Sequence, residues 1–301
     1  MRKKISIIIV TYNSQTDIND CLSSIGDFID INSSELEVII VDNSSGSDAS
    51  EIESLVGNHP LKEKVEVRYL NNISNLGYGQ GNNFGIKASS GDIICIMNPD
   101  VRFTNYLLND VLVKFRDAKL ALLAYKQLGG FNYSFYMKPE CRNKYFGFIT
   151  KAINKLDVLF PKCFYLSGAF FFVDKLKFEE VGLFDENIFM YFEEPDIANR
   201  LQKRGYKIKY DKSKSYDHLV GERLGWSEIT FMREMDSLRY YLKKYGLDEK
   251  KYLKKMLSEV EIKLKIAKFL KDKERTHSFE NEIVLRENIL RELIKDGKNK
   301  K

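Results

Sequence analysis

The sequence predicts an α/β fold, a mostly parallel central sheet flanked by helices, followed by a helical C-terminal extension. Three observations predict it. Short β-branched runs alternate with helix-like stretches between Ile5 and Met97. Those runs are apolar on both faces instead of alternating, as strands covered by helices on each side are. From about residue 226 onward, apolar residues recur at helical spacing.

Taken in order, "ISIIIV" is a strand and the segment from Gln15 to Ile29 a helix. "LEVIIVD" is a strand, followed by a helix, then "VEVRYL", a glycine-rich loop and "DIICIM". In the loop "NLGYGQGNNFGIKASSGD" the glycines let backbone N–H groups approach a phosphate or a sugar, and a helix is expected to begin near Asn82 or Asn83. Flexible loops collect glycines too. Because the loop does not follow the first strand, it is not the GxGxxG dinucleotide fingerprint. After "LSGAFFFV" come a helix, a loop, a helix from about Asp196 to Arg204 with Pro195 at its first position, and a strand ending near Tyr210. Ile229, Met232, Met235, Leu238, Leu242 and Tyr245, then Leu253, Met256, Val260, Leu264 and Ala267, mark the terminal helices, which leave room for a homo-oligomer.

A chain of 301 residues accommodates one large domain with an appendage, or two domains. The expected division is a sheet domain over 1–225, containing a variable basic and aromatic segment at 126–162, and a helical extension over 226–301. A net charge of only +5 does not call for nucleic acid, and no nucleic-acid motif is present. Cys21, Cys95, Cys141 and Cys163 lie far apart with no CxxC pair, which argues against a zinc knuckle or a secreted disulfide framework and makes a reducing cytoplasm the default. The first apolar run is too short for a signal peptide, and no segment approaches membrane-spanning length.

The carboxyl ends of the strands turn polar at "VTYNS", "VDNSS" and "MNPD", and in open α/β sheets ligands bind beyond those ends. Asn, Asp and Ser also form turns and helix caps, but three such ends point to one crevice. There Asp100 is a candidate ligand for a divalent cation, Mg²⁺ or Mn²⁺, held against a diphosphate. "FEEPD" sets Glu193, Glu194 and Asp196 at a helix start, where the helix dipole favours acids in any case. Between residues 126 and 162, seven Lys or Arg face two acids and are interleaved with aromatic side chains. That mixture suits a lipid phosphate at a membrane surface, and equally a core-covering loop with solvated lysines.

With "SIIIVTYNS", "VIIVDNSS", "NLGYGQGNNFGI", "IMNPDV", "SGAFFFV", "GLFDENIFMYFEEPDIANRLQKRGYKI" and "DHLVG" in order from residue 5 to about 225, the chain resembles the family 2 glycosyltransferases. These are inverting enzymes of the nucleotide-sugar-dependent GT-A fold. "NPD" in place of Asp-x-Asp looks most like the bacterial rhamnosyltransferase-like branch that builds surface polysaccharides. The resemblance implies that Thr11, Tyr12, Asn13 and Asp42 contact the base and ribose, with Asn75 and Gly77 beside the nucleotide and sugar. Asn83, Asn98 and Gly168 fall in the same donor site. It implies Asp100 and His218 as ligands of a metal bridging the diphosphate, and Glu194 as the base, a Glu where the family usually has Asp. Glu193 and Asp196 remain alternatives. The implied donor is a dTDP- or UDP-sugar, dTDP-rhamnose first, and the implied acceptor a saccharide or a polyprenyl-diphosphate-linked saccharide. The implied location is cytoplasmic, peripheral on the inner membrane. The rival expectations are a catalytically inactive nucleotide-sugar-binding platform and a sugar nucleotidyltransferase, the latter opposed by "TYNSQTD" after the first strand.

Overall fold

A computed structural model describes residues 3–72, 74–75, 77–130, 132–219 and 228–299. The expected strand–helix rhythm is present. β1 (Ile5–Thr11), α1 (Gln15–Asp27), β2 (Leu36–Asp42), α2 (Gly46–Gly57), β3 (Glu66–Asn71), α3 (Tyr78–Ala88) and β4 (Ile93–Met97) form the first half. β5 (Val101–Phe103), α4 (Leu108–Lys114), β6 (Leu120–Leu128), β7 (Phe135–Met137), α5 (Phe146–Leu156), β8 (Phe164–Leu166), β9 (Phe170–Asp174) and α6 (Lys175–Glu180) follow. Then come α7 (Glu193–Lys203), β10 (Lys207–His218), and the terminal helices α8 (Glu228–Lys244), α9 (Glu249–Phe269) and α10 (Lys273–Asn299).

The main sheet runs in the order β3-β2-β1-β4-β9-β6-β10-β5, and β7 pairs with β8 apart from it. β1 is parallel to β2 and β4, and β2 to β3, whereas β9 runs antiparallel to both β4 and β6. Successive residues of β1 serve two cores: Ile7 and Ile9 pack with Val38, Ile40 and Cys95 on one face, and Ile8 packs with Ile39, Val41 and Ile96 on the other. Two-sided burial is why these strands read as unbroken apolar runs.

Several expectations are corrected. α3 starts at Tyr78, four residues before Asn82, so three glycines of the supposed loop lie inside the helix. Gly81 and Gly85 bring it onto the sheet: a Cβ on Gly85 would stand 2.6 Å from Ile8 Cγ2 and 2.9 Å from Val41 Cγ2. Gly77 and Gly91 keep loop positions on either side of the helix; Gly77 has φ +106° and a position where a Cβ would meet the Phe189 carbonyl oxygen at 2.2 Å, and at Gly91 a Cβ would meet Ser6 Oγ at 2.3 Å. α7 starts at Glu193, so Pro195 is its third residue and not its first, still in the turn whose N–H groups have no helical acceptor. β10 does not end at Tyr210. A register shift between Asp211 and Ser215 lets it run on to His218, the last stretch antiparallel to β5.

Cys141 and Cys163, whose spacing argued against a disulfide framework and made a reducing compartment the default, form a disulfide, because the β7–β8 pairing brings their Cα atoms to 5.5 Å. Cys21 and Cys95 are free and buried. The 126–162 segment divides between both of its readings: Phe135 is buried in a small core with Met137 and Phe164, whereas Tyr145, Phe148 and Phe160 are exposed. Phe131 of that segment lies outside the described residues, as do Val220 and Gly221 of "DHLVG". In the extension Met235, Leu238 and Leu242 are buried with Leu253 and Met256, while Ile229 and Met232 are exposed. Among the described residues, no helix is long and apolar enough to cross a membrane.

Candidate active site

The ends of β1 and β2 are bound together by side chains. Asp42, fully buried, accepts hydrogen bonds on Oδ1 from Thr11 Oγ1 (2.9 Å) and Ser44 Oγ (2.7 Å), and on Oδ2 from the Tyr69 hydroxyl (2.8 Å). Thr11 is equally buried, so these two side chains form the floor of the crevice and present no free polar atom to a nucleotide. Tyr12, 58 % exposed, and Asn13, at φ +52° with its N–H on Ser44 Oγ (2.8 Å), stand above it. Asn75 on the far rim accepts from the Gly77 N–H at 3.1 Å. Asn43, absent from the sequence-predicted set, accepts from Asn72 Nδ2 at 2.8 Å and reaches Asn75 Oδ1 at 3.5 Å. Asn83 points elsewhere. Its amide donates to the Phe184 carbonyl (3.0 Å) and to Glu186 (2.9 Å) and accepts from the Phe184 N–H (3.0 Å), so it pins the turn before α7 and leaves the expected donor-site role without a free group.

The end of β4 makes the next wall. The Asn98 N–H donates to the Ala169 carbonyl at 2.8 Å. The Tyr78 hydroxyl lies 3.1 Å from Asn98 Oδ1 and 3.0 Å from the Gly168 carbonyl oxygen, tying the first turn of α3 to both strand ends. Tyr78 escaped sequence reasoning because an aromatic residue among glycines gives no sign of which way it points. Four residues beyond Asn98, Arg102 Nη1 donates to the carbonyls of Pro99 (2.8 Å) and Val101 (2.9 Å), holding the turn that carries Asp100.

Asp100 and His218 meet because β5 and β10 pair, with Val101 opposite His218 and the Leu219 N–H donating to the Asp100 carbonyl at 2.8 Å. His218 Nε2 lies 3.3 Å from Asp100 Oδ2. Asp100 Oδ1 and both ring nitrogens of His218 are buried without a hydrogen-bond partner. Buried polar atoms are ordinarily paired, so an oxygen and an imidazole nitrogen left over side by side fit a divalent cation of the Mn²⁺ type. No group of three His, Cys, Asp or Glu side chains suited to a metal exists among the described residues. Two protein ligands would therefore leave the remaining positions to oxygen atoms of a bound molecule or water, as hard cations at phosphate sites accept.

The three acids of α7 differ in their surroundings. Tyr191 and Phe192 both have φ +68°, a left-handed entry into the helix that side chains other than glycine adopt at a cost, and one that clusters at functional sites. Asp196, fully buried, is held by Arg200 (Nε 2.9 Å, Nη2 2.8 Å), Lys244 (2.5 Å) and the Tyr245 hydroxyl (2.7 Å). It is an anchor, with no lone pair left for a substrate proton. Glu193 is 2 % exposed and its Oε1 has no partner; burial first, then the neighbouring Glu194 and Asp196 charges, push its pKa well above the usual carboxylate range. Glu194 alone of the three is partly open, and burial raises its pKa too. It lies against Gly168, where a Cβ would come 2.0 Å from Glu194 Oε1. Asp100, Asn98, Tyr78, Gly168 and Glu194 thus form one continuous wall, and Tyr78 feels the charges of Glu194, Glu193 and Asp100 together. The arrangement links a carboxylate of raised basicity, through Gly168, Tyr78 and Asn98, to a strand end that carries a pair suited to a cation, the two groups that moving a proton near a charged leaving group calls for.

Solved structures with the same architecture include the mannosyltransferase PcManGT from Pyrobaculum calidifontis in complex with GDP-Man and Mn²⁺. Its TM-score is 0.57 at 15 % identity, covering 96 % of this chain and 70 % of that one. GalNAc-T7 with UDP, GalNAc and Mn²⁺ gives a TM-score of 0.61 at 13 % identity, covering 85 % and 51 %. These likenesses show the GT-A fold. Among curated proteins, the low-salt glycan biosynthesis hexosyltransferase Agl10 of Haloferax volcanii is 26 % identical over 220 residues, 69 % of this chain and 64 % of that protein. The poly-beta-1,6-N-acetyl-D-glucosamine synthase of Staphylococcus aureus is 23 % identical over 232 residues, 73 % and 51 %. The chain therefore spans less than two thirds of the length of either relative. Residues 6–182, more than half of the chain, match glycosyl transferase family 2, and the chain belongs to that family.

Proposed function

We propose that the protein is a metal-dependent, inverting glycosyltransferase that moves a sugar from a nucleoside-diphosphate donor to a saccharide or polyprenyl-diphosphate-linked saccharide in bacterial surface polysaccharide synthesis. dTDP-rhamnose is the first-choice donor and a UDP-sugar the next. The observation that carries the reading is the unpartnered Asp100–His218 pair on the same wall as Glu194. Family membership and neighbours solved with nucleotide sugars or their parts and Mn²⁺ support it. Asp100 and His218 would hold a divalent cation, which when bound supplies positive charge against the diphosphate leaving group.

The chain's own residues do the rest. Glu194 accepts the proton of the acceptor hydroxyl as that oxygen attacks the anomeric carbon from the face opposite the diphosphate, so configuration inverts. Burial makes Glu194 a stronger base once ionised. Gly168 leaves room for the carboxylate, and Tyr78 fixes that room relative to Asn98. Exposed Tyr12, Asn13 and Asn75 are the groups open to a nucleotide; Asp42 supports Asn13 through Ser44, and Asn75 is met by Asn43 and the Gly77 N–H. The proposed location is the cytoplasmic side of the inner membrane, peripherally bound, where a lipid-carried acceptor would be presented.

Calorimetric titration with a panel of nucleotide sugars, with and without Mn²⁺, tests the reading on the wild type, Asp100→Ala and Glu194→Gln. One donor should bind in a metal-dependent way, lose that binding in Asp100→Ala and keep it in Glu194→Gln. Turnover in Glu194→Gln should fall by ~10²–10⁴-fold. Absence of binding by any nucleotide sugar to the folded wild type would refute the proposal.

A further inference from the structure

The segment between β7 and β8 has a surface that the chemistry above leaves unused. α5 turns Phe146, Ile149 and Ile153 inward onto the small core of Phe135, Met137 and Phe164. Its other side is open: Phe148 is 55 % exposed, and Lys151, Ala152 and Lys155 follow it at the three-, four- and seven-residue spacing of one helix face. The flanks extend the apolar surface with Tyr145 before the helix and Leu156, Val158 and Phe160 at its end and in the turn beyond, each between 45 % and 65 % exposed.

The charge on this surface has one sign. Lys144, Lys151, Lys155 and Lys162 are exposed, and none of them forms an ion pair among the described residues. Both acids of the segment are engaged elsewhere: Glu140 accepts from the Tyr241 hydroxyl (2.8 Å) and from Asn199, and Asp157 pairs with Lys126 (2.7 Å) and Tyr210. The plate is held firmly from behind. Arg142 pairs with Glu259 of α9 at 2.7 Å while its guanidinium stacks 4.1 Å from the Phe146 ring centroid, and the Cys141–Cys163 bond closes the segment's base.

Aromatic rings interleaved with ammonium groups on a rigid amphipathic face match the layered chemistry of a bilayer surface. Rings sit at headgroup depth, and lysine stems lie along them with their charges at the phosphates. A second copy of the chain is the poorer occupant, because a face cationic throughout would meet its own charge. We infer that the α5 face docks this protein on anionic phospholipid bilayers. The inference deepens the acceptor side of the proposed function and rests on that reading only for the acceptor the bilayer would present; docking itself needs neither donor nor acceptor.

Cosedimentation of the full chain with vesicles of phosphatidylcholine, alone or mixed with phosphatidylglycerol, tests it. Binding should require phosphatidylglycerol and weaken as salt rises. Each lysine at an anionic surface is worth about five-fold in partition, so the charge-neutralising K144Q/K151Q/K155Q should lose about 100-fold. Phe148→Ser should lose about ten-fold while keeping the salt dependence, since it removes apolar burial and no charge. All variants should keep the wild-type circular dichroism and nucleotide-sugar affinity.

Equal binding to both vesicle types overturns the inference, as does wild-type binding by the triple lysine variant. Capture by neutral vesicles seeded with a polyprenyl diphosphate, as strong as capture by phosphatidylglycerol, also overturns it and reassigns the face to the acceptor headgroup. An α5-dependent dimer in place of vesicle binding does the same in favour of self-association. Vesicle binding without donor binding would sink the transferase reading and leave this one standing.

Discussion

Gly168→Ala isolates the placement of Glu194 from its chemistry. The new methyl would stand 2.0 Å from Glu194 Oε1 and 2.8 Å from both Cδ and Cγ, where ordinary contact begins near 3.4 Å, so the carboxylate must retreat by about 1.4 Å. Gly168 is not among the residues of positive φ, so alanine meets no backbone strain there. What gives way is therefore the Glu194 side chain from Cγ outward. The Tyr78 hydroxyl keeps its bond to the residue 168 carbonyl, so the wall itself stays in place. A misplacement of ~1 Å in a reacting constellation costs on the order of 10²-fold, within the ~10²–10⁴-fold that a general base contributes. Turnover followed by nucleoside diphosphate release at saturating donor should fall by about 100-fold. Donor affinity by calorimetry and the melting temperature should stay close to wild type. Turnover within about three-fold of wild type, in a protein whose Glu194→Gln variant is inactive, would refute the assignment of the reacting oxygen to the position beside Gly168.

Two further perturbations read the acids of α7. Glu193 has a raised pKa, so the stability it contributes is complete below the unfolded-state value of ~4.3 and is lost as pH climbs through the folded-state value. Glu193→Gln should therefore melt higher than wild type at pH 8 and converge with it near pH 4, measured by thermal unfolding across pH. Divergence toward acid instead would show that Glu193 is ionised and paired. Lys244→Met strips one of two cations from buried Asp196; with Arg200 still in place the loss should be about 2 kcal/mol, below the range for leaving a buried charge wholly unpaired, and visible in urea unfolding.

The strands and their two-sided burial were legible in the sequence because apolar β-branched runs have few other destinations. The exit of Asp100 at a strand end was legible for the same reason. Direction was not. Asp42 and Asn83 carry the chemistry of nucleotide ligands, yet one is saturated by Thr11, Ser44 and Tyr69 and the other by the Phe184 turn. The glycines of α3 read as a loop because the sequence cannot distinguish a backbone that must bend from one that must come close to Ile8 and Val41. The Cys141–Cys163 bond depends on pairing between two three-residue strands, below the length at which alternation carries a signal. His218 was reachable through family resemblance alone; the register shift in β10 that delivers it has no marker of its own.

The boundary expected near residue 225 separates groups that the electrostatics join. Three acids crowd the first turn of α7, where the helix dipole favours negative charge but does not by itself compensate a fully buried carboxylate. The compensation for Asp196 comes partly from Arg200 on its own helix and partly from Lys244 and Tyr245 at the end of α8; Lys244 also holds Asp185 at 2.7 Å. The left-handed turn at Phe192 is met from the same side: its ring packs on the core of the terminal helices, 5.8 Å from the Tyr241 ring centroid. A strained turn persists only where its surroundings over-determine it, and here those surroundings belong to the extension. Glu194 sits between that turn and Asp196, so its position against Gly168 depends on α8 as much as on the sheet. The terminal helices are in that sense the back wall of the candidate active site.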